Sequence, residues 1–186
     1  MVVMMTATLN PILESKTAST AEALALFDTL DPVDLAFMMG RWQGAEIQTN
    51  HPLNGFLVAA RWYGKEFLEA DCVHPLLFQD GNAQIFKVCP NLTVMQWSLQ
   101  WPWLKSQPLQ PMLRLLTGLM KTGASQARLR MTEYRQKLSA TMIYDRLPIN
   151  DIFRKVDDNT VLGLMDFKGV PQPFFFLLKR DTTSQP

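Results

Sequence analysis

"ARLRMTEYRQKLSATMIYD", residues 127–145, is where the chain declares its fold. In 127–134 and again in 138–145 apolar and polar side chains trade places at nearly every step. That is the period of a half-buried strand, not of a helix. Three further stretches behave alike: "NDIFRKV" (150–156), "TVLGLMDFK" (160–168) and "PFFFLLKRD" (173–181). The links "RQK", "RLP", "VDDN" and "GVPQ" are short and carry turn residues, with Asp157-Asp158-Asn159 a hairpin turn. Five strands joined this way form a meander.

Upstream, "RWQGAEIQT" (41–49), "QIFKV" (84–88) and "LTVMQWSL" (92–99) read as strands, with Pro90-Asn91 as a turn between the last two. The total is then about eight, the number that closes a small barrel. The expected fold is mainly β: an up-and-down antiparallel β-barrel with N-terminal helices and one or two inserted helices.

The helices announce themselves by caps and period. Ser19 with Glu22 makes a capping box before "AEALALFDTL". Asp31 and Pro32 read as the N-cap and first position of a second helix, which Gly40 ends. "HPLNGFLVAARWYGKEF" (51–67) reads as helical, with Leu53, Phe56, Leu57, Ala60 and Tyr63 near one face. After Trp97, Trp101 and Trp103, residues 108–121 form an amphipathic helix candidate with Leu109, Met112, Leu113, Leu116 and Met120 in a stripe. Its possible roles are a lid over an open barrel end, a membrane contact, or core, and core is the default. Residues 1–17 read as a flexible tail and 18–181 as a single barrel domain.

The balance of 47% hydrophobic and 19% charged residues excludes a mainly disordered chain. A net charge of +1, with interspersed signs, argues against nucleic-acid binding. No apolar run is long enough to span a bilayer, and the N-terminal stretch lacks a basic region before its apolar residues. The expectation is a cytoplasmic protein without stable membrane insertion, its two cysteines, Cys72 and Cys89, free thiols. With only His51 and His74, no metal site is expected.

The sequence resembles the GXWXG family. "MGRWQG" (39–44) supplies Gly40, Trp42 and Gly44, and "HPLNG" (51–55), "WYGK" (62–65) and "VHPL" (73–76) continue the likeness, over about residues 36–80. The second half, about 124–181, resembles the domain of unknown function DUF4334 through "ARLRMTEYR", "SATMIYDRLPINDIFRKVDDNTVLGLMDFKG" and "FFFLLKRD". Neither name implies a reaction. A looser likeness is to calycin barrels: lipocalins, fatty-acid-binding proteins and nitrobindin-like proteins. In lipocalins a GxW opens the first strand and a late arginine covers the tryptophan, which implies Trp42 as a floor plug with Arg180 stacked on it.

The candidate site residues follow from type and place. His51 and His74, each before a proline, are acid/base candidates near neutral pH, weighed against holding X-Pro turns. Asp166 ends a strand whose same-face members are Leu162 and Leu164, so an inward carboxylate there would be poised to shift its pKa; a turn role is the alternative. Trp62, Tyr63 and Lys65 of "WYGKEF" are ligand-binding candidates together with Trp42 and Arg180, though a lysine near a helix end is more commonly solvated. Asp151 shares a strand face with Phe153, and reads as an ordinary ion pair with Arg154 or Arg146.

The expected function is a carrier or sensor holding a small apolar or amphipathic ligand (lipid-, terpenoid- or polyketide-like) inside the barrel. The alternative is an isomerase or cyclase that uses His51, His74 or Asp166. Haem binding is a third reading, although no histidine follows His74; otherwise no cofactor is expected.

Overall fold

Ten strands and six helices account for residues 11–100 and 109–183, the part of the chain that the computed structural model describes. In chain order they are α1 (Pro11–Ser15), α2 (Thr20–Thr29), β1 (Asp31–Pro32), α3 (Leu35–Met38), β2 (Gly40–Glu46), α4 (Phe56–Ala59), β3 (Trp62–Glu69), β4 (Cys72–Gln79), β5 (Ile85–Lys87), α5 (Leu92–Gln100), α6 (Gln110–Leu119), β6 (Ala127–Tyr134), β7 (Lys137–Tyr144), β8 (Ile149–Asp157), β9 (Thr160–Phe167) and β10 (Val170–Arg180).

Eight strands close on themselves in the order β2, β3, β4, β6, β7, β8, β9, β10 and back to β2, every neighbour antiparallel. This is the expected up-and-down barrel. Closure removes the sheet edges that an open meander would leave unpaired. β1 and β5 are short additions, on β8 and β4. The seam between β4 and β6 is narrow, with Val73 opposite Ala127 as its one register pair. Ser125 and Gln126 reinforce it through hydrogen bonds to the Val73 backbone. β5, α5 and α6 are inserted in the chain at this seam.

The strand period decides what each face buries. Inward residues such as Trp42, Phe67, Ala140, Phe153, Val161 and Leu178 fill the floor half of the barrel. The outer face of β8, β9 and β10 carries Ile152, Leu162, Leu164, Phe175 and Leu177, and α2 covers it with Ala23 and Phe27. The Ser19–Glu22 capping box that starts α2 is present on both sides.

Several local expectations are corrected. Asp31-Pro32 does not start a helix; it is the edge strand β1, and Asp34 caps α3 by accepting the Phe37 N–H at 2.7 Å. Residues 92–99 are helical, not extended. Asn91 Oδ1 accepts the Val94 N–H to begin α5, and Val94, Met95 and Leu99 then share its inward face at helical spacing. The helix expected in 51–67 shrinks to one turn, α4, followed by β3; the Glu46 carboxylate accepts the N–H groups of Leu57 and Val58, satisfying that turn's start. Part of the expected tail is ordered against the barrel: Lys16 and Ala18 bracket Gln48 with two backbone hydrogen bonds. Trp101 and Trp103 lie outside the described residues. No described helix is long and apolar enough to cross a membrane.

Candidate functional site

The half of the barrel away from Trp42 is not filled. A cavity of about 70 Å³ lies there. Its walls are apolar: Phe78, Ile149, Met165, Phe174 and Phe176 from the strands, Phe56 and Leu57 from α4, Val94 and Met95 from α5, and Met120 after α6. Into this wall project two charged side chains, Lys65 from β3 and Asp151 from β8. Lys65 Nζ lies 2.8 Å from Asp151 Oδ2, and both side chains are almost wholly buried, at 3% and 1% exposure.

The cation is tightly enclosed. Nζ donates to the Pro75 carbonyl oxygen at 3.1 Å and stands 5.0 Å from the centre of the Phe176 ring and 5.7 Å from those of Trp62 and Tyr144. The anion is served on one side only, since Asp151 Oδ1 is buried without a hydrogen-bond partner. Burial pushes the Asp151 carboxyl up from its ordinary range, and the Lys65 charge and hydrogen bond pull against that. Burial, with the Asp151 charge adding to it, also drives the Tyr144 phenol well above its usual value. Trp62 Nε1 is a second buried polar atom here without a partner.

Strand irregularity places Lys65. The β3–β4 register shifts on both sides of Gly64, so Trp62 and Lys65, three residues apart, both reach the cavity. Gly64 has φ +152°, and a Cβ there would collide with the Trp42 carbonyl oxygen. Across the sheet Lys65 is the register partner of Trp42. Asp151 follows simple alternation: it shares the inward face with Phe153, while Ile152 and Arg154 face α2, Arg154 with its guanidinium 4.9 Å from the Phe27 ring. The ion pairs expected for Asp151 with Arg154 or Arg146 are therefore absent.

The other candidates are dispersed. His51 is buried in the loop before α4, where its Nδ1 accepts the Leu53 N–H at 3.1 Å, its backbone N–H donates to Asn54 Oδ1, and its ring meets Phe174 edge-on. His74 lies in β4 opposite Glu66, beside Lys87. Neither histidine lines the cavity, and the two are not brought together there. Asp166 is on the outer face with Leu164, half-buried and away from the cavity; the Leu162–Leu164 face turned out to be the one under α2, so the inward carboxylate of this barrel is Asp151. Tyr63 points outward and donates to Asp181. Trp42 and Arg180 form the floor: the indole donates to the Met38 carbonyl, and the guanidinium stands 4.2 Å from the indole ring while donating to the carbonyls of Phe37 and Met39. Of the expected ligand-binding residues, Trp62 and Lys65 line the cavity; Trp42, Tyr63 and Arg180 do not.

The cavity and floor draw on both halves of the chain, as do the matches to known families. Residues 25–82 match the model described as GXWXG protein, and residues 125–180 match that of the domain of unknown function DUF4334. A crystal structure of a protein from Thermomonospora curvata is similar throughout: 33% sequence identity, covering 91% of this chain and 93% of that one, with a TM-score of 0.69. No curated protein matches the sequence.

Proposed function

The chain belongs to the family that joins a GXWXG segment to DUF4334, and from that premise we propose that it is a cytoplasmic carrier or sensor holding a small, largely apolar, uncharged ligand in its barrel. The observation that carries this is the Lys65–Asp151 pair in the wall of an otherwise apolar cavity. A desolvated ion pair gives a fold little that well-packed apolar side chains would not give. Placed at a cavity, it orients whatever polar group enters, and Asp151 Oδ1 offers that group an unused acceptor. Charge selects the ligand class. A carboxylate would sit against Asp151 and an amine against Lys65, each in a low dielectric where like charges repel strongly. A neutral molecule with one polar end meets neither penalty.

The test is titration of the intrinsic tryptophan fluorescence with matched short-chain alcohols, ketones, acids and amines, alongside native mass spectrometry of protein purified from its own host. Saturable binding of the neutral members, with the charged ones weaker, is expected. Absence of binding by all four classes, together with no co-purifying ligand, overturns the proposal.

One observation favours a second reading, acid–base isomerisation. The raised Asp151 carboxyl, with Oδ1 unpartnered beside the cavity, has the character of a proton-transfer group. His51, His74 and Asp166 do not converge on the cavity, so in this reading Asp151 carries the proton and Lys65 the oxyanion. Deuterium exchange at carbon next to a bound ketone, followed by NMR, distinguishes an enzyme from a carrier.

A further inference from the structure

We propose that Lys65 is a covalent attachment point: its amine condenses with an apolar aldehyde or ketone to give a protonated Schiff base held against Asp151. This rests on the reading of the cavity as a ligand site and names the ligand's reacting group.

Three observations carry it. Lys65 is the one primary amine that lines the cavity among the described residues, so a carbonyl seated in the cavity meets this amine and no other. Asp151 Oδ2, 2.8 Å from Nζ, is placed to take and return a proton. The third is conservation of charge. An ammonium and a carbonyl yield an iminium and water, so the pair has one positive and one negative charge before and after. Breaking a buried ion pair is strongly destabilising, and condensation ends with this one restored, its charges absent only while the proton rests on Asp151. The three rings around Nζ, at 5.0–5.7 Å, favour the iminium as they favour the ammonium.

The step balances without any further reactant. Nζ passes a proton to Asp151 Oδ2, which frees its electron pair. That pair attacks the carbonyl carbon; the C=O π electrons move to oxygen, and the oxygen takes the proton from Asp151. A second proton moves from nitrogen to the hydroxyl by way of the same carboxylate. The nitrogen lone pair then forms C=N as water leaves. The iminium keeps one N–H to donate to Asp151.

The test uses the full-length protein with benzaldehyde or hexanal and cyanoborohydride, which reduces the iminium to a stable amine, followed by intact mass and peptide mapping. Lys65 is buried, so ordinary surface chemistry labels it last. The expected result is the reverse, with Lys65 modified at least about ten-fold faster than exposed lysines because the bound carbonyl is held against it. Benzyl alcohol, which fills the same space and cannot condense, slows that labelling. Lys65→Arg, which keeps a cation opposite Asp151 but has no primary amine, stays folded by circular dichroism and loses the fast adduct. If aldehyde and alcohol both bind but Lys65 is labelled no faster than surface lysines, the Schiff base is overturned and the carrier stands. If neither binds, both fall.

Discussion

Gly44 and Trp62 share one volume: a Cβ on Gly44 would overlap the six-membered ring of Trp62. The last glycine of the G-x-W-x-G signature is therefore a seat for the indole that walls the cavity beside Lys65. Gly163 does the same for Phe176, another ring around the same cation. The motif does two jobs. Trp42 closes the floor, and Gly44, two residues on, makes room for the cavity wall.

Gly44→Ala should destabilise by about 1–3 kcal/mol, the ordinary cost of forcing extra volume into a packed core. The indole of Trp62 must move, so its emission and the affinity for neutral ligands change together. Gly123→Ala, where a Cβ meets open space, serves as the control and leaves both unchanged. Urea unfolding and a fluorescence titration on the two variants decide it.

The Lys65–Asp151 pair makes a sharper energetic prediction. Lys65→Met or Asp151→Leu alone strands the other charge in an apolar wall and should cost about 3–5 kcal/mol. The double variant, with two apolar side chains facing each other, should recover most of that loss. It should also lose the preference for ligands with a polar end. A double-mutant cycle by denaturant unfolding reads the coupling; additive single costs would show that the pair contributes nothing jointly.

How far the site was legible from sequence turns on two residues. The strands from 127 to 181 were readable because their faces alternate cleanly, and the same alternation already placed Asp151 beside Phe153 on one face. Which face of β8 turns inward did not follow from that, so the inward carboxylate was expected at Asp166 and Asp151 was read as an ion pair with Arg154 or Arg146. Lys65 and Trp62 were named as ligand candidates, but their strand setting was obscured because "FLVAARWYGKEF" matches a helical period, and a register shift at Gly64 brings the two to one side at a spacing that no regular strand gives. A bulge arises from pairing with β2 and β4, which are distant in sequence, so local pattern carries no trace of it beyond the glycine itself. Asp166 misled for a related reason. Leu162 and Leu164 mark a buried face, but burial against α2 outside the barrel leaves the same apolar pattern as burial within it.

Arg180 belongs to stability and not to the cavity. Its guanidinium stacks on Trp42 and donates to the carbonyls of Phe37 and Met39, tying the last strand to the turn of α3. Arg180→Lys keeps the charge and loses the planar fork, and should cost about 1–3 kcal/mol. Ligand affinity of the folded protein should not change, since neither Trp42 nor Arg180 lines the cavity. A fall in affinity without a fall in melting temperature would contradict this placement.

His74 gives the pH prediction. Burial holds its imidazole below the ordinary value, the Lys87 charge adds to that, and Glu66 with the Ala124 backbone opposes it. The charged neighbours around it are Glu66 on β3 and Lys87 on β5, which pair with each other, and Arg41 on β2 shares the Glu66 carboxylate. A histidine whose folded pKa is lowered binds protons more readily in the unfolded chain. Its contribution is fully present above the unfolded value of about 6.5 and is lost as pH falls through the lower folded value. Glu66 acts with the same sign in a more acidic window: burial raises its carboxyl, but the hydrogen bonds from Lys87 and Arg41 outweigh burial and leave it lowered. Asp151 acts with the opposite sign, because its raised carboxyl favours the folded state at low pH and loses that advantage as pH rises. Between about pH 7.5 and about pH 5.5 the histidine should dominate the slope. His74→Gln should therefore flatten the decline in urea midpoint that the wild type shows over this range, and leave the steeper acid limb in place. An unchanged slope in the variant would assign the pH dependence elsewhere.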